Sequence, residues 1–253
     1  MDYAKMILDK KPIVQCITNI VTVNDCANAL LAIGASPTMA HLLEEVEEIQ
    51  SGCDALVCNL GATENFDAML VAAKKADELG HPIVIDPVGC GGSSVRREFF
   101  CKLIEACRPA CIRGNYSEIM ALAYGKQTAT GVDAKLDESV NSSETSIENA
   151  VMLLSKQTKS IVVASGIEDI IFDGKTMVKV TGGDVLMSRI TGTGCMESSL
   201  LGAYLVVSND LESVAACCKR VKDAGKMAAD MTRERHAGSM TFREKFIDKL
   251  FCE

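Results

Sequence analysis

The chain has 253 residues, of which 48% are hydrophobic, and a formal net charge of −8. Such a length allows one large or two small domains, and since no linker or shift in composition divides the sequence, we expect one domain over residues 1–253. The acidic charge argues against a nucleic-acid-binding protein, which would carry a basic face. No apolar run is long enough to predict a membrane-spanning helix.

Twelve cysteines and three histidines are present. The N-terminal sequence does not show the basic and apolar segments of a signal peptide, so we expect a cytoplasmic protein with reduced thiols. The spacing of Cys53 and Cys58, like that of Cys107 and Cys111, does not match the paired C-x₂-C of a zinc site. Most of the cysteines are therefore expected to be small core residues.

Apolar residues that recur every three to four positions predict helices in the first half of the chain, and short apolar runs predict strands. Gly34 and Gly80 follow two of the helical patterns, as expected of helix ends. The predicted helices cover residues 23–33, 66–79, 97–107 and 117–123. The predicted strands cover residues 55–58, 82–85 and 110–112.

The second half begins with a polar segment, residues 133–145, that we interpret as an exposed loop. Asp173-Gly174 predicts a hairpin turn between strands at 170–172 and 177–180. A further strand is predicted at 161–164, and helices are predicted at 147–157, 196–207, 213–231 and 242–251. Short apolar strands that alternate with helices indicate an α/β protein with a mainly parallel sheet covered by helices on both faces.

Ligands of such sheets bind beyond the carboxyl ends of the strands. The polar residues that follow the predicted strands are therefore candidates for a functional site: Asn59, Asp86, Arg113, Asn115, Glu118 and Ser165. Asp86 has two interpretations: a carboxylate that caps the loop, or a group that binds Mg²⁺ or contacts phosphate through water. Glu118 also has two interpretations. It is an acid in the first turn of a helix that Asn115 or Ser117 caps, or it is a metal-binding group beside Arg113.

The stretch Arg189 to Met196 reads RITGTGCM and leads into an apolar helical pattern. Glycines allow a tight turn and a close approach to a ligand, and the amides of a helix N-terminus bind anions, phosphate above all. Cys195 lies at the entrance of this predicted phosphate site. Its thiolate could be stabilised by the helix terminus and be reactive, or the residue could be one more small buried side chain.

Several segments together resemble the hydroxyethylthiazole kinase family of the ribokinase-like superfamily. They occur in the family's order between residue 12 and about residue 207. The matching segments are CITN (16–19), Asn24 with Ala27-Asn28, GASPTMAH (34–41), NLG (59–61), IDPVG (85–89), IRGN (112–115), SEI (117–119), GVD (131–133) and TGTGCM (191–196). The sequence departs from the family pattern at Gln15, where His is common, at Cys90-Gly91-Gly92 and at Ser165, where Thr is usual.

The resemblance implies a ribokinase-like fold and ATP-dependent phosphorylation of the hydroxyl of 4-methyl-5-(2-hydroxyethyl)thiazole with Mg²⁺, in thiamine salvage. It also implies a homotrimer with active sites between subunits. Cys195 matches the position of the catalytic aspartate of related sugar kinases, and Asp86 and Glu118 match acids near Mg²⁺. The remaining matched positions are Arg113, Asn115, Ser165 and Gly194 for ATP binding and Asn19, Met39 and Gly192 for substrate binding.

Three other functions compete with this one. A ribokinase-like kinase acting on a hydroxymethylpyrimidine or a sugar would normally carry Asp at the position of Cys195. A transferase could use Cys195 as a covalent nucleophile. A nucleotide-binding regulatory module would have lost catalysis, and the presence of Asp86, Glu118 and the 192–194 glycine loop argues against it.

Overall fold

The computed structural model describes residues 1–125 and 146–252. Its strands are β1 (Ile13–Ile17), β2 (Ser36–Thr38), β3 (Ala55–Asn59), β4 (Ile83–Asp86), β5 (Cys111–Asn115), β6 (Ile161–Ser165), β7 (Glu168–Phe172) and β8 (Met177–Thr181). They form one sheet in the order β2-β1-β3-β4-β5-β6-β7-β8. Strands β1 to β6 are parallel to one another. Strand β7 is antiparallel to both β6 and β8, and β7 and β8 form the predicted hairpin around Asp173-Gly174.

Helices cover both faces of this sheet, as predicted. They are α1 (Tyr3–Lys10), α2 (Val23–Ala32), α3 (Val46–Ser51), α4 (Phe66–Leu79), α5 (Ser94–Ala106), α6 (Tyr116–Tyr124), α7 (Ile147–Thr158), α8 (Thr193–Val207), α9 (Leu211–Glu234) and α10 (Ser239–Leu250). Short 3₁₀ helices cover Thr63–Asn65 and Val185–Arg189. No helix of the described residues is both long and apolar enough to cross a membrane.

Alternate residues of each strand point to opposite faces of the sheet, which creates two separate cores. Val57 and Val84 pack with α1, α2, α8, α9 and α10, while their neighbours Leu56 and Ile85 pack with α3 to α7. The strands are buried on both sides, which explains why they read as continuous apolar runs. All twelve cysteines are free and nine of them are buried, which confirms their interpretation as small core residues.

The predicted helices and strands in the described residues are confirmed, and their bounds differ from the prediction by three residues at most. Three elements were missed, α1, β1 and β2, and α3 was expected only as an acidic helix after His41, without bounds. Gln15 interrupts the apolar run of β1, and Pro37 lies in the three-residue edge strand β2, where proline is tolerated. The predicted loop at 133–145 and the GVD match at 131–133 lie outside the described residues.

Candidate active site at the strand ends

Four strands end in polar residues on the same edge of the sheet. Asn59, Asp86, Asn115 and Ser165 are the last residues of β3, β4, β5 and β6, and the register pairs Asn59 with Asp86 and Asn115 with Ser165. These four site candidates therefore do lie at the carboxyl ends of neighbouring strands. They belong to the strands themselves, so the predicted strand ends were one to three residues too early.

Helix α8 begins opposite this edge at Thr193, three residues before the predicted start. Gly192 precedes it with φ +93°, and a methyl group there would lie 2.7 Å from Thr22 Cγ2, so glycine is required by conformation and by space. No side chain of the described residues caps this helix. The first-turn amides of Thr193, Gly194 and Cys195 are therefore oriented to bind an anion.

Cys195 lies in this first turn, and its Sγ accepts hydrogen bonds from two side-chain amides. Asn59 Nδ2 is 3.3 Å away and Asn19 Nδ2 is 3.5 Å away. Burial raises the pKa of the Cys195 thiol to about 12, and the charge of Asp86 adds to the rise. The raised pKa favours the neutral thiol over the stabilised thiolate as the form of Cys195 at neutral pH.

Asp86 is buried at the end of β4 and is joined to Cys195 through Asn59. Its Oδ2 accepts hydrogen bonds from Asn59 Nδ2 at 2.9 Å and from Ser198 Oγ at 2.8 Å. Burial raises the pKa of Asp86 to about 7 and is opposed by Arg113, and the like charge of Glu118 raises it further. Sequence analysis missed Ser198; its three-residue spacing from Cys195 on α8 was the available signal.

Glu118 forms a capping box at the start of α6, so its structural interpretation is confirmed. Its Oε2 accepts the Asn115 N–H at 2.9 Å, its Oε1 accepts the Gly89 N–H at 2.8 Å, and Asn115 Oδ1 accepts the Glu118 N–H at 2.9 Å. Burial raises the pKa of Glu118 as well. Glu118 and Asp86 repel each other electrostatically, and both carboxylates offer the hard oxygen ligands that a divalent cation prefers.

Arg113 was expected in a loop after β5, but it lies inside that strand and is buried. Its Nη2 is 2.8 Å from Glu197 Oε2 and donates a hydrogen bond to Ser165 Oγ at 2.6 Å. A methyl group at Gly194 would overlap its guanidinium, so Arg113 lies against the first turn of α8. Three of the residues assigned to ATP binding, Arg113, Ser165 and Gly194, are thus brought together, and Glu197 is a partner that the sequence analysis missed.

Of the residues assigned to substrate binding, Asn19 and Met39 follow β1 and β2, and Gly192 precedes α8. Asn19 follows β1, and its Oδ1 accepts a hydrogen bond from Thr22 Oγ1 at 3.2 Å, which places it near Gly192. Met39 follows β2 and is half-buried. Gln15 Nε2 donates to Ala40 O at 3.1 Å and so fixes the backbone next to Met39.

Comparison with known proteins identifies the family of this chain. The family model described as "Hydroxyethylthiazole kinase family" matches residues 4–252. The hydroxyethylthiazole kinase of Leptospira biflexa is 40% identical over 249 residues, covering 98% of this chain and 90% of that protein. The hydroxyethylthiazole kinase of Methanobrevibacter smithii is 39% identical over 252 residues, covering 96% of this chain and 88% of that protein.

Solved structures extend the comparison to the fold. The hydroxyethylthiazole kinase protein from Pyrococcus horikoshii OT3 superposes with a TM-score of 0.85 and 32% identity, covering 99% of this chain and 91% of that one. A ribokinase-like superfamily protein from Enterococcus faecalis V583, 10% identical, superposes with a TM-score of 0.62, covering 94% and 87% of the two chains, which supports a ribokinase-like fold. The match of the family model over nearly the whole chain shows that this chain belongs to the hydroxyethylthiazole kinase family.

Proposed function

We propose that the chain transfers the γ-phosphoryl group of ATP to the hydroxyl of 4-methyl-5-(2-hydroxyethyl)thiazole in thiamine salvage, as a single cytoplasmic kinase domain over residues 1–253. The observation that carries the proposal is the position of Arg113 against Gly194. It sets a buried positive charge beside the open amides at the start of α8. Phosphoryl transfer depends mainly on such positioning and charge neutralisation.

The other polar groups have roles consistent with this chemistry. The amides of Thr193, Gly194 and Cys195 would hold the transferring phosphate, and Arg113 would neutralise its charge. Mg²⁺ held by Asp86 and Glu118 would neutralise further phosphate charge. We assign Ser165 and Asn115 to binding of the nucleotide, and Asn19, Met39 and Gly192 to binding of the thiazole alcohol.

An assay of ADP release with a panel of small alcohols tests the proposal. We expect the highest kcat/KM with hydroxyethylthiazole and much lower values with a hydroxymethylpyrimidine, pyridoxal and ribose. Mass spectrometry of the protein during turnover should show no adduct on Cys195. A higher kcat/KM with another alcohol would identify a different small-alcohol kinase, and a phosphoryl or thiazole adduct on Cys195 would indicate covalent catalysis instead.

We expect replacement of Cys195 with serine to lower kcat by less than about a hundredfold, the low end of the range for a positioned base, because the thiol is almost fully protonated at neutral pH. The Cys195→Asp variant is expected to match or exceed the wild-type kcat. Asn19 and Asn59 already direct two N–H groups at this position, where they would bind a carboxylate. The negative charge of this carboxylate near the phosphate is expected to raise the KM for ATP.

A profile of kcat against pH checks the role of the sulfur. If the thiolate accepts the proton, the wild-type kcat rises with pH from 6.5 to 9.5, since this range lies below a pKa of about 12. The Cys195→Ser variant should lack this rise. Complete inactivity of both variants with ATP still bound would mean that the sulfur has a specific role other than that of a base.

A homotrimer is the assembly we propose. Ile20 and Val21 directly follow Asn19 and are 83% and 68% exposed, and Leu42 and Leu43 near Met39 are also exposed. Apolar side chains gathered beside the proposed substrate residues suit contact with a second copy of the chain. Light scattering is expected to give three times the chain mass of 27.1 kDa.

The Ile20→Lys variant tests this surface. It is expected to shift the protein to smaller species and to raise the KM for hydroxyethylthiazole, because a charge would be buried between subunits. Leu79→Lys is the matched control, since Leu79 is also an exposed apolar residue but lies at the far end of α4. A fully active monomer would contradict the shared site.

A further inference from the structure

A tight turn joins β6 to β7 directly after Ser165, and we name residues 165–168 the 165–168 turn. Its exposed tip is Ile167, whose side chain is 96% exposed. The backbone of the turn is nevertheless held at several points. Tyr116 Oη donates to Glu168 O at 2.6 Å, and the Gly166 N–H donates to Asp169 Oδ1 at 3.0 Å. The turn therefore has one fixed shape although its tip faces solvent.

Lys222 of α9 holds the same turn from beneath. It is buried, and its Nζ donates to Gly166 O at 2.6 Å and to Ile167 O at 3.2 Å and lies 3.0 Å from Asp169 Oδ1. An ammonium has three donors, and these three acceptors match that number. Lysine is rarely buried unless it is paired, so its burial here requires these contacts.

Two buried carboxylates, Asp169 and Glu197, connect Lys222 to Arg113. Oxygens of Asp169 and Glu197 and the Cys218 Sγ all lie within 4.8 Å of one another. Each carboxylate already faces a cation, Asp169 facing Lys222 and Glu197 facing Arg113, so the cluster is two linked ion pairs and not a metal site. Removing Lys222 would leave two adjacent buried acids with a single cation, and Arg113 would be attracted away from Ser165.

We propose that Lys222 is a positioning residue for the nucleotide: it fixes the 165–168 turn and, through Asp169 and Glu197, holds Arg113 beside Ser165. This inference rests on the proposed function, in which Arg113 and Ser165 bind ATP. Lys222 acts on ATP only through these groups. Its loss should therefore weaken ATP binding more than binding of the thiazole alcohol, because the proposed substrate residues Asn19 and Met39 follow β1 and β2, whereas Lys222 contacts the turn after β6.

Steady-state kinetics of Lys222→Met test the inference. We expect the KM for ATP to rise by about tenfold or more, the equivalent of one hydrogen bond to a charged group. The KM for hydroxyethylthiazole should change by less than about threefold. Lys226→Met is the matched control, because Lys226 lies one helical turn later and forms only a surface pair with Asp230. An unchanged KM for ATP in folded Lys222→Met would overturn the inference, as would equal rises in both KM values.

The double variant Lys222→Met/Asp169→Asn tests whether the single variant fails only because Asp169 is left buried without a cation. It removes both charges together, a replacement that buried ion pairs often tolerate. Because Gly166 O and Ile167 O still lose their donor, the KM for ATP should remain raised. A wild-type KM in this variant would show that Lys222 only neutralises Asp169 and would overturn the positioning role.

Ser165→Ala separates this inference from the proposed function. Loss of the hydroxyl that accepts from Arg113 is expected to raise the KM for ATP. If Ser165→Ala leaves that KM unchanged, the nucleotide does not bind at this position and the proposed function loses its ATP site. If Ser165→Ala raises the KM but the Lys222 variants do not, only the role of Lys222 is wrong.

Discussion

Replacing Asp86 with alanine is expected to lower kcat by about 10²–10³-fold, the effect typical of losing one group that stabilises transition-state charge. Asp86 is a buried carboxylate in contact with α8, since it accepts from Ser198 of that helix and shares Asn59 with Cys195. Glu118→Ala should also lower kcat strongly, because the two acids are proposed to hold the same cation. The measurement is kcat as a function of Mg²⁺ concentration.

Ser198→Ala is the control for this experiment. It removes a hydrogen bond to Asp86 Oδ2 but keeps the carboxylate, so we expect a loss of less than about tenfold, the value of one ordinary hydrogen bond. Wild-type kcat in Asp86→Ala and Glu118→Ala at limiting Mg²⁺ would remove both residues from the proposed metal site.

The Asp86→Asn variant should be folded, and more stable than wild type at neutral pH without metal. Burial raises the pKa of Asp86 to about 7, whereas an unfolded aspartate has a pKa of about 4. Between these values the folded chain keeps a proton that the unfolded chain has lost. The contribution of Asp86 to the free energy of unfolding therefore falls as pH rises from about 4 to about 7. Asparagine does not titrate, so the urea midpoints of the variant should fall less over this pH range than those of the wild type. Part of the fall remains, because the pKa values of Asp169 and Glu118 are raised as well.

The pattern of apolar and polar residues along the sequence predicted the sheet and the edge at which its parallel strands end. The apolar runs of β3, β4 and β6 and the polar residue at the end of each were sufficient to place Asn59, Asp86 and Ser165 together. This succeeds because parallel strands buried on both faces are apolar along their whole length, and the topology brings their carboxyl ends to one edge.

Contacts between distant segments could not be predicted in this way. A charged residue normally ends a buried strand, so β5 was expected to stop before Arg113; it continues because Glu197, on a helix far along the chain, compensates the charge. The burial of Lys222 has the same origin, since its three acceptors lie on and beside the 165–168 turn. The raised pKa of Cys195 also depends on burial, which the sequence of the helix terminus does not reveal.

Breaking the Arg113–Glu197 pair is expected to have the largest effect on stability. Glu197→Ala should lower the free energy of unfolding by about 3–5 kcal/mol, because it leaves the buried Arg113 guanidinium without its carboxylate. Burial opposes the charge of Arg113, and Glu197 is the first of the carboxylates that outweigh burial and raise its pKa. Urea unfolding measures the loss. Asp230→Ala, which breaks an exposed pair with Lys226, should cost no more than about 1 kcal/mol.

Two features near Glu197 determine how much of the free energy of unfolding Glu197→Ala loses. Asp169 is relieved of a like charge when Glu197 is removed, and Asp169 and Asp86 still compensate Arg113 in part, so we expect the lower half of the range. The double variant Arg113→Met/Glu197→Leu removes both charges and should regain most of the stability, since apolar replacements of a buried pair are often neutral. It should not regain ATP binding, because the guanidinium beside Gly194 is lost. Equal urea midpoints for Glu197→Ala and Asp230→Ala would show instead that water or a rearranged Arg113 satisfies the charge, and the pair would then contribute little to the fold.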